Sequence, residues 1–165
     1  MFGFGKSKTA KIIETLTSYA VSGQSFMYKL FIKALEVPAD KIRKIELTYF
    51  TLSVLTFVFL RFHQSPDKEQ ILDDVALSVI KASIPNCEEE ISLNQAVNEY
   101  QERYKVYDAF LRPLLSGTDG NPEFVLSARL FYCVTRDKPN GMVLAASPLI
   151  TEYILDHIDF VKKEL

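Results

Sequence analysis

The chain has 165 residues, 48% of them hydrophobic and 24% charged, with a formal net charge of −2. That composition excludes a disordered or low-complexity polypeptide and predicts one globular domain, residues 1–165, with a sizeable core. The small negative charge excludes general attraction to nucleic acid, and Cys87 and Cys133 stand too far apart for a zinc motif.

The segment MFGFGKSK has no long apolar region, and Phe2 replaces the glycine that myristoylation needs. It is expected to fray. With two cysteines and no secretory leader legible, the expected location is the reducing cytoplasm.

A first helix is expected from Ser7 to Glu36, capped by Ser7 or Thr9. Ile13, Leu16, Ala20, Gly23, Met27, Leu30 and Ala34 form an apolar stripe at 3-4-3-4 spacing. Gly23, between Ser22 and Ser25, marks a kink or a close helix approach, and the kink is preferred. Val37-Pro38 ends this helix and supplies the first residue of the next.

The next helix contains the organising stretch, Leu47 to Leu60, which reads LTYFTLSVLTFVFL without a charge, Gly or Pro. A helix apolar on nearly all sides belongs inside a bundle or a bilayer. Glu46 and Arg61 bound the run below the roughly 20 residues a membrane span needs, so the core reading is taken, with no transmembrane segment. Thr48, Thr51, Ser53 and Thr56 can bond carbonyls one turn back and so tolerate burial.

Ser65-Pro66-Asp67 opens a third helix through Ile71, Leu72, Val75, Val79 and Ile80. After Ile84-Pro85, Glu88, Glu89 and Glu90 are expected to open a fourth, where acids suit the helix dipole. Its stripe is the most regular in the chain: Leu93, Val97, Tyr100, Tyr104, Tyr107, Leu111 and Leu114. Pro113 should kink or stop it. Asn121-Pro122 starts a fifth helix, and Ser147-Pro148 a sixth that runs to about Lys163. An alternative pairs Leu130–Thr135 with Met142–Ala146 as a β-hairpin across Asn140-Gly141. The fold class is therefore all-α, a bundle of five to seven helices around a central apolar one, with a short hairpin near 130–146 as the variant.

Catalytic signals are sparse. His63 and His157 belong to no Glu-x-x-His motif. Asp119, Asn121 and Glu123 alternate like a calcium loop, but Phe124 and Leu130 stand where Gly and Glu are required. Gly5-Lys6-Ser7 lacks the rest of a P-loop. Glu69 with Asp73, and Glu99 with Glu102, share helix faces in pairs that could hold Mg²⁺ for a phosphate substrate. The Glu-Glu-x-x-Glu and Glu-x-x-Asp pattern of all-α nucleoside triphosphate pyrophosphohydrolases is not reproduced. No catalytic residue, metal ligand or cofactor is assigned.

Two features point to binding. Residues 1–44 carry eight Lys/Arg against three Asp/Glu, and residues 65–102 carry two against nine. Such asymmetry is either a pair of solvated faces or a surface that orients a partner. The stripe Tyr100, Tyr104, Tyr107 is either core packing or a groove wall with Arg103 at its rim. The expected role is a non-catalytic cytoplasmic protein-interaction or regulatory module, dimeric through an apolar stripe. The alternative is a bundle that holds a small amphipathic ligand.

Overall fold

The computed structural model describes residues 7–87, 89–117 and 120–165. Every regular element among them is helical: α1 (Lys8–Lys33), α2 (Lys44–Phe62), α3 (Lys68–Ser83), α4 (Leu93–Ser116), α5 (Pro122–Thr135) and α6 (Gly141–Glu164). Single 3-10 turns lie at Ala39–Lys41 and Ile84–Asn86. The all-α bundle expected from the sequence is the fold. The readings placed on residues 1–6, Glu88 and Asp119 lie outside the described residues.

α2 packs against each of the other five helices. All residues from Ile45 to Leu55 are buried, and so are Phe57, Val58 and Phe59. Its hydroxyls are satisfied close at hand. Thr48 and Ser53 donate to the carbonyls of Lys44 (3.4 Å) and Tyr49 (2.7 Å). Thr51 meets the Tyr153 hydroxyl at 2.9 Å, and Thr56 meets that of Tyr100 at 2.9 Å. Among the described residues α2 alone is long and apolar enough to cross a membrane, and 78% of that window is buried inside the bundle.

Several boundaries differ from expectation, each for a local reason. α1 is one helix, capped by Ser7, which accepts from the Ala10 amide. Gly23 is a close approach and not a kink: a Cβ there would lie 2.5 Å from the Tyr153 hydroxyl. α1 stops at Lys33, where Ala34 and Leu35 N–H both donate to Leu30 O (2.8 and 3.2 Å), Val37 N–H reaches back to Phe31 O (3.0 Å) and Glu36 is left-handed at φ 53°.

The second helix does not start at Pro38. Ile42 and Arg43 are extended, and Arg43 N–H donates to Val134 O at 3.0 Å, so α2 begins only at Lys44. α3 likewise begins two residues later than Pro66, after Ser65 Oγ accepts from the Asp67 amide. Glu89 and Glu90 precede α4 and do not open it; Ser92 is its N-cap and accepts from Gln95 N–H. α4 continues through Pro113 to Ser116 and ends on left-handed Gly117.

The β-hairpin alternative is overturned. Leu130–Thr135 belongs to α5 and Met142–Ala146 to α6. Asn140 caps α6 by accepting from Met142 N–H, so that helix starts at Gly141 and takes Pro148 into its interior. The Asn-Gly pair therefore ends a helix–helix turn, where its capping side chain is used.

Candidate functional site

The fourth-helix stripe divides. Tyr107 is fully buried, its ring edge-on to Phe50 with centroids 5.2 Å apart, and burial pushes its hydroxyl well above the ordinary tyrosine value. Tyr100 is buried and held by Thr56. Tyr104 is half-buried, and its ring centroid lies 6.5 Å from that of Tyr100. Arg103 turns to a partner that sequence reading treated only as the edge of an apolar run, Glu46.

Glu46 is completely buried one residue before Leu47. Arg103 binds it as a fork, Nε donating to Oε2 (2.8 Å) and Nη2 to Oε1 (2.7 Å). Arg43 Nη1 donates to Oε1 at 2.8 Å, and Arg136 Nη2 stands 3.9 Å from the same oxygen. Arg43 also grips Glu89 through Nε and Nη2, both at 2.8 Å. These five charges tie α2, α4, the end of α5 and the α3–α4 loop together. The bond to Glu46 raises Arg103 above the ordinary guanidinium value. The bond from Arg43 lowers Glu89 below the ordinary carboxylate value. Both Glu46 oxygens are engaged and shut from solvent, so the group serves as a strut and presents no base to a substrate.

His157 is the other buried ionisable side chain of note. Its Nδ1 lies 2.8 Å from Tyr153 O, which places the proton on Nδ1. Nε2 is buried with no hydrogen-bond partner among the described residues. Tyr19 and Tyr153 meet the ring edge-on at 4.8 and 4.4 Å. Burial lowers its pKa to about 4. His63 stacks on Phe59 at 4.4 Å, and its pKa is lowered by burial and then by Lys8 and Lys68.

The paired carboxylates do not converge. Glu99 accepts from Gln95 (3.2 Å) and the Tyr49 hydroxyl (3.3 Å), and Glu102 pairs with Lys105. No group of three or more His, Cys, Asp or Glu gathers at metal-binding distance among the described residues.

An open cleft of about 350 Å³ lies between α1, the start of α2 and the end of α3. Val21, Leu47 and Ala82 give it apolar walls. Lys29 and Lys44 line it too, with Lys44 Nζ 5.8 Å from the centre of the Tyr28 ring. The Gln24 amide and Ser83 hydroxyl meet there at 3.3 Å. The described lining contains no acid. Sequence reading missed this cleft because its walls come from three helices whose outward polar residues look individually like solvated faces.

Comparison of the chain with known protein families, with curated proteins and with solved structures finds no match.

Proposed function

We propose that this protein is a non-catalytic interaction module that pairs with a second copy of itself through the outer face of α5 and α6. What supports the reading is where exposed apolar side chains collect. Of the ten large exposed hydrophobics among the described residues, six lie on these two helices: Val125, Tyr132, Met142, Leu144, Leu149 and Leu155. Leu144, Pro148 and Leu155 recur at helical spacing on α6, and Val125 and Tyr132 do so on α5. Exposed apolar side chains gathered on two adjacent helices, on α6 as two flanks with acids between them, mark an association surface.

The charges favour a self-pairing. α6 exposes Glu152, Asp156 and Asp159, while α5 and the turn after it carry Arg129, Arg136 and Lys138. A two-fold axis sets the acidic edge of one copy against the basic edge of the other. A cytoplasmic location accompanies this proposal, since neither Cys87 nor Cys133 is held in a disulfide.

Sedimentation velocity across a concentration series tests it. The expected result is a reversible dimer at micromolar concentration. Leu144→Glu with Leu155→Glu should leave the circular dichroism unchanged, because both residues are exposed, and yield a monomer. A wild-type protein that stays monomeric throughout, or a double variant that still pairs, overturns the proposal.

A further inference from the structure

We propose that a second cleft, at the α2–α3 turn, binds a phosphate dianion, free or carried as a phosphomonoester. The inference does not depend on self-pairing, which concerns α5 and α6. The cleft holds about 430 Å³ and is lined by the end of α2, the turn after it and the first residue of α3. Arg61, His63, Gln64, Ser65 and Lys68 bring hydrogen-bonding side chains to it, and the described lining contains no acid. Such a lining offers little to an apolar body and much to an oxyanion, and the volume leaves room beside the phosphate for an ester group.

Packing brings the cations together without cancelling their charge. The Arg61 guanidinium lies 3.6 Å from the centre of the Phe57 ring, and its Nη1 donates to Phe57 O at 3.4 Å. Lys68 Nζ donates to Leu60 O at 3.1 Å, which ties the start of α3 to the end of α2. His63 stacks on Phe59. All these anchors are neutral, and among the described residues none of Lys8, Arg61, His63 and Lys68 is ion-paired. Asp108, in the neighbouring cleft that Arg61 also lines, is already paired with Arg112. Asp67 and Glu69, next in the chain, are exposed and do not line the site. Burial and then the charges of Lys8 and Lys68 hold the His63 imidazole below its ordinary value, so the fields of both ammonium groups reach the ring. An anion set among them reverses that pressure and favours imidazolium. Two fixed cations in the lining, Arg61 and Lys68, match a dianion, whereas a single carboxylate leaves one of them unmatched. Ser65 Oγ accepts from the Asp67 amide and keeps its own proton to donate.

Titration calorimetry with inorganic phosphate at neutral pH, ionic strength held by chloride, tests the site. One saturable site is expected, weakened at least about tenfold in Arg61→Gln with Lys68→Gln, whose circular dichroism should match the parent. Histidine NMR supplies a readout that scattered surface charge would not move. The chain has two histidines, so His157 serves as the internal reference. Sulfate, a dianion throughout the range, should raise the His63 midpoint by about one pH unit over chloride and leave His157 in place. The double variant should lose that rise. Absence of saturable phosphate binding overturns the proposal. So does binding that persists in the double variant, or a His63 midpoint that sulfate leaves unmoved. Vesicles of phosphatidylcholine with phosphatidic acid identify the source of the phosphate. Sedimentation with them, displaced by free phosphate, assigns a lipid head group; saturable binding without sedimentation assigns a soluble phosphomonoester.

Discussion

Two regions of the bundle each bury an ionisable side chain, and they do so in opposite ways. Glu46 is enclosed by three guanidinium groups, one from Arg43 three residues back and two from Arg103 and Arg136, far along the chain. His157 is enclosed by aromatic rings and bonds only to a carbonyl of its own helix. The first site keeps a charge in the interior by neutralising it. The second keeps charge out by making the protonated form costly. The contrast teaches that burial alone does not set what an ionisable group contributes; the groups facing it do.

The largest expected effect comes from breaking the first arrangement. Glu46→Ala strips Arg103 of its carboxylate, leaves Arg43 with Glu89 alone, and should cost roughly 3–5 kcal/mol by denaturant unfolding. Arg103→Ala should cost nearly as much, because it strips the fork from a buried carboxylate. Removing both together, Glu46→Ala with Arg103→Ala, should cost less than the two single losses summed. Additive losses would show that the pair acts as separate contacts.

Acid tests the second arrangement. Folded His157 titrates at about 4 against an ordinary value of 6.5. Above pH 6.5 neither state holds the proton and the stability is whole. As pH falls from 6.5 toward 4 the unfolded chain takes up a proton that the folded chain refuses. About 3 kcal/mol is lost across that window. His157→Leu should flatten this part of the pH–stability curve. An unaltered slope in His157→Leu would assign the acid sensitivity elsewhere.

A smaller effect lies next to the histidine. Tyr153 holds His157 by its carbonyl and Thr51 by its hydroxyl, and Gly23 gives that hydroxyl room. Gly23→Ala should cost about 1–3 kcal/mol through overpacking, read as a lower melting temperature. The smallest effect belongs to Arg136, which is half exposed and left-handed at φ 63°. Arg136→Gly relieves the backbone while removing a distant charge, so stability should change by less than about 0.5 kcal/mol. A large loss would make Arg136 an equal partner of Arg103.

The fold was legible where pattern and burial agree. The uncharged run from Leu47 to Leu60 announced an enclosed helix, and the spacing from Leu93 to Leu114 announced α4. Helix starts were less legible. Pro148 and the three acids at 88–90 look like start signals, but Asn140 and Ser92 make the caps. A capping bond is decided by which side chain reaches an amide, and several candidates in a row compete. The Glu46 cluster was hidden because its arginines come from the chain before α2, from α4 and from the end of α5. A faint signal did exist: Glu46 shares a helical strip with Phe50, Ser53 and Phe57, so a buried acid was already implied. Tyr100 and Tyr107 followed their apolar stripe inward, whereas Arg103, assigned to a groove rim, turned toward that acid.

The place of α2 in chain order has a consequence for biosynthesis. It leaves the ribosome after α1 and ahead of α3, α4, α5 and α6, all of which pack against it. At ordinary elongation speeds the roughly 100 residues that follow take about 5–20 s to appear. Throughout that interval the nascent chain displays a greasy rod of near-bilayer length, with α1 alone to shelter it. Chaperone capture, or strayed insertion into lipid, competes with completion of the fold during those seconds.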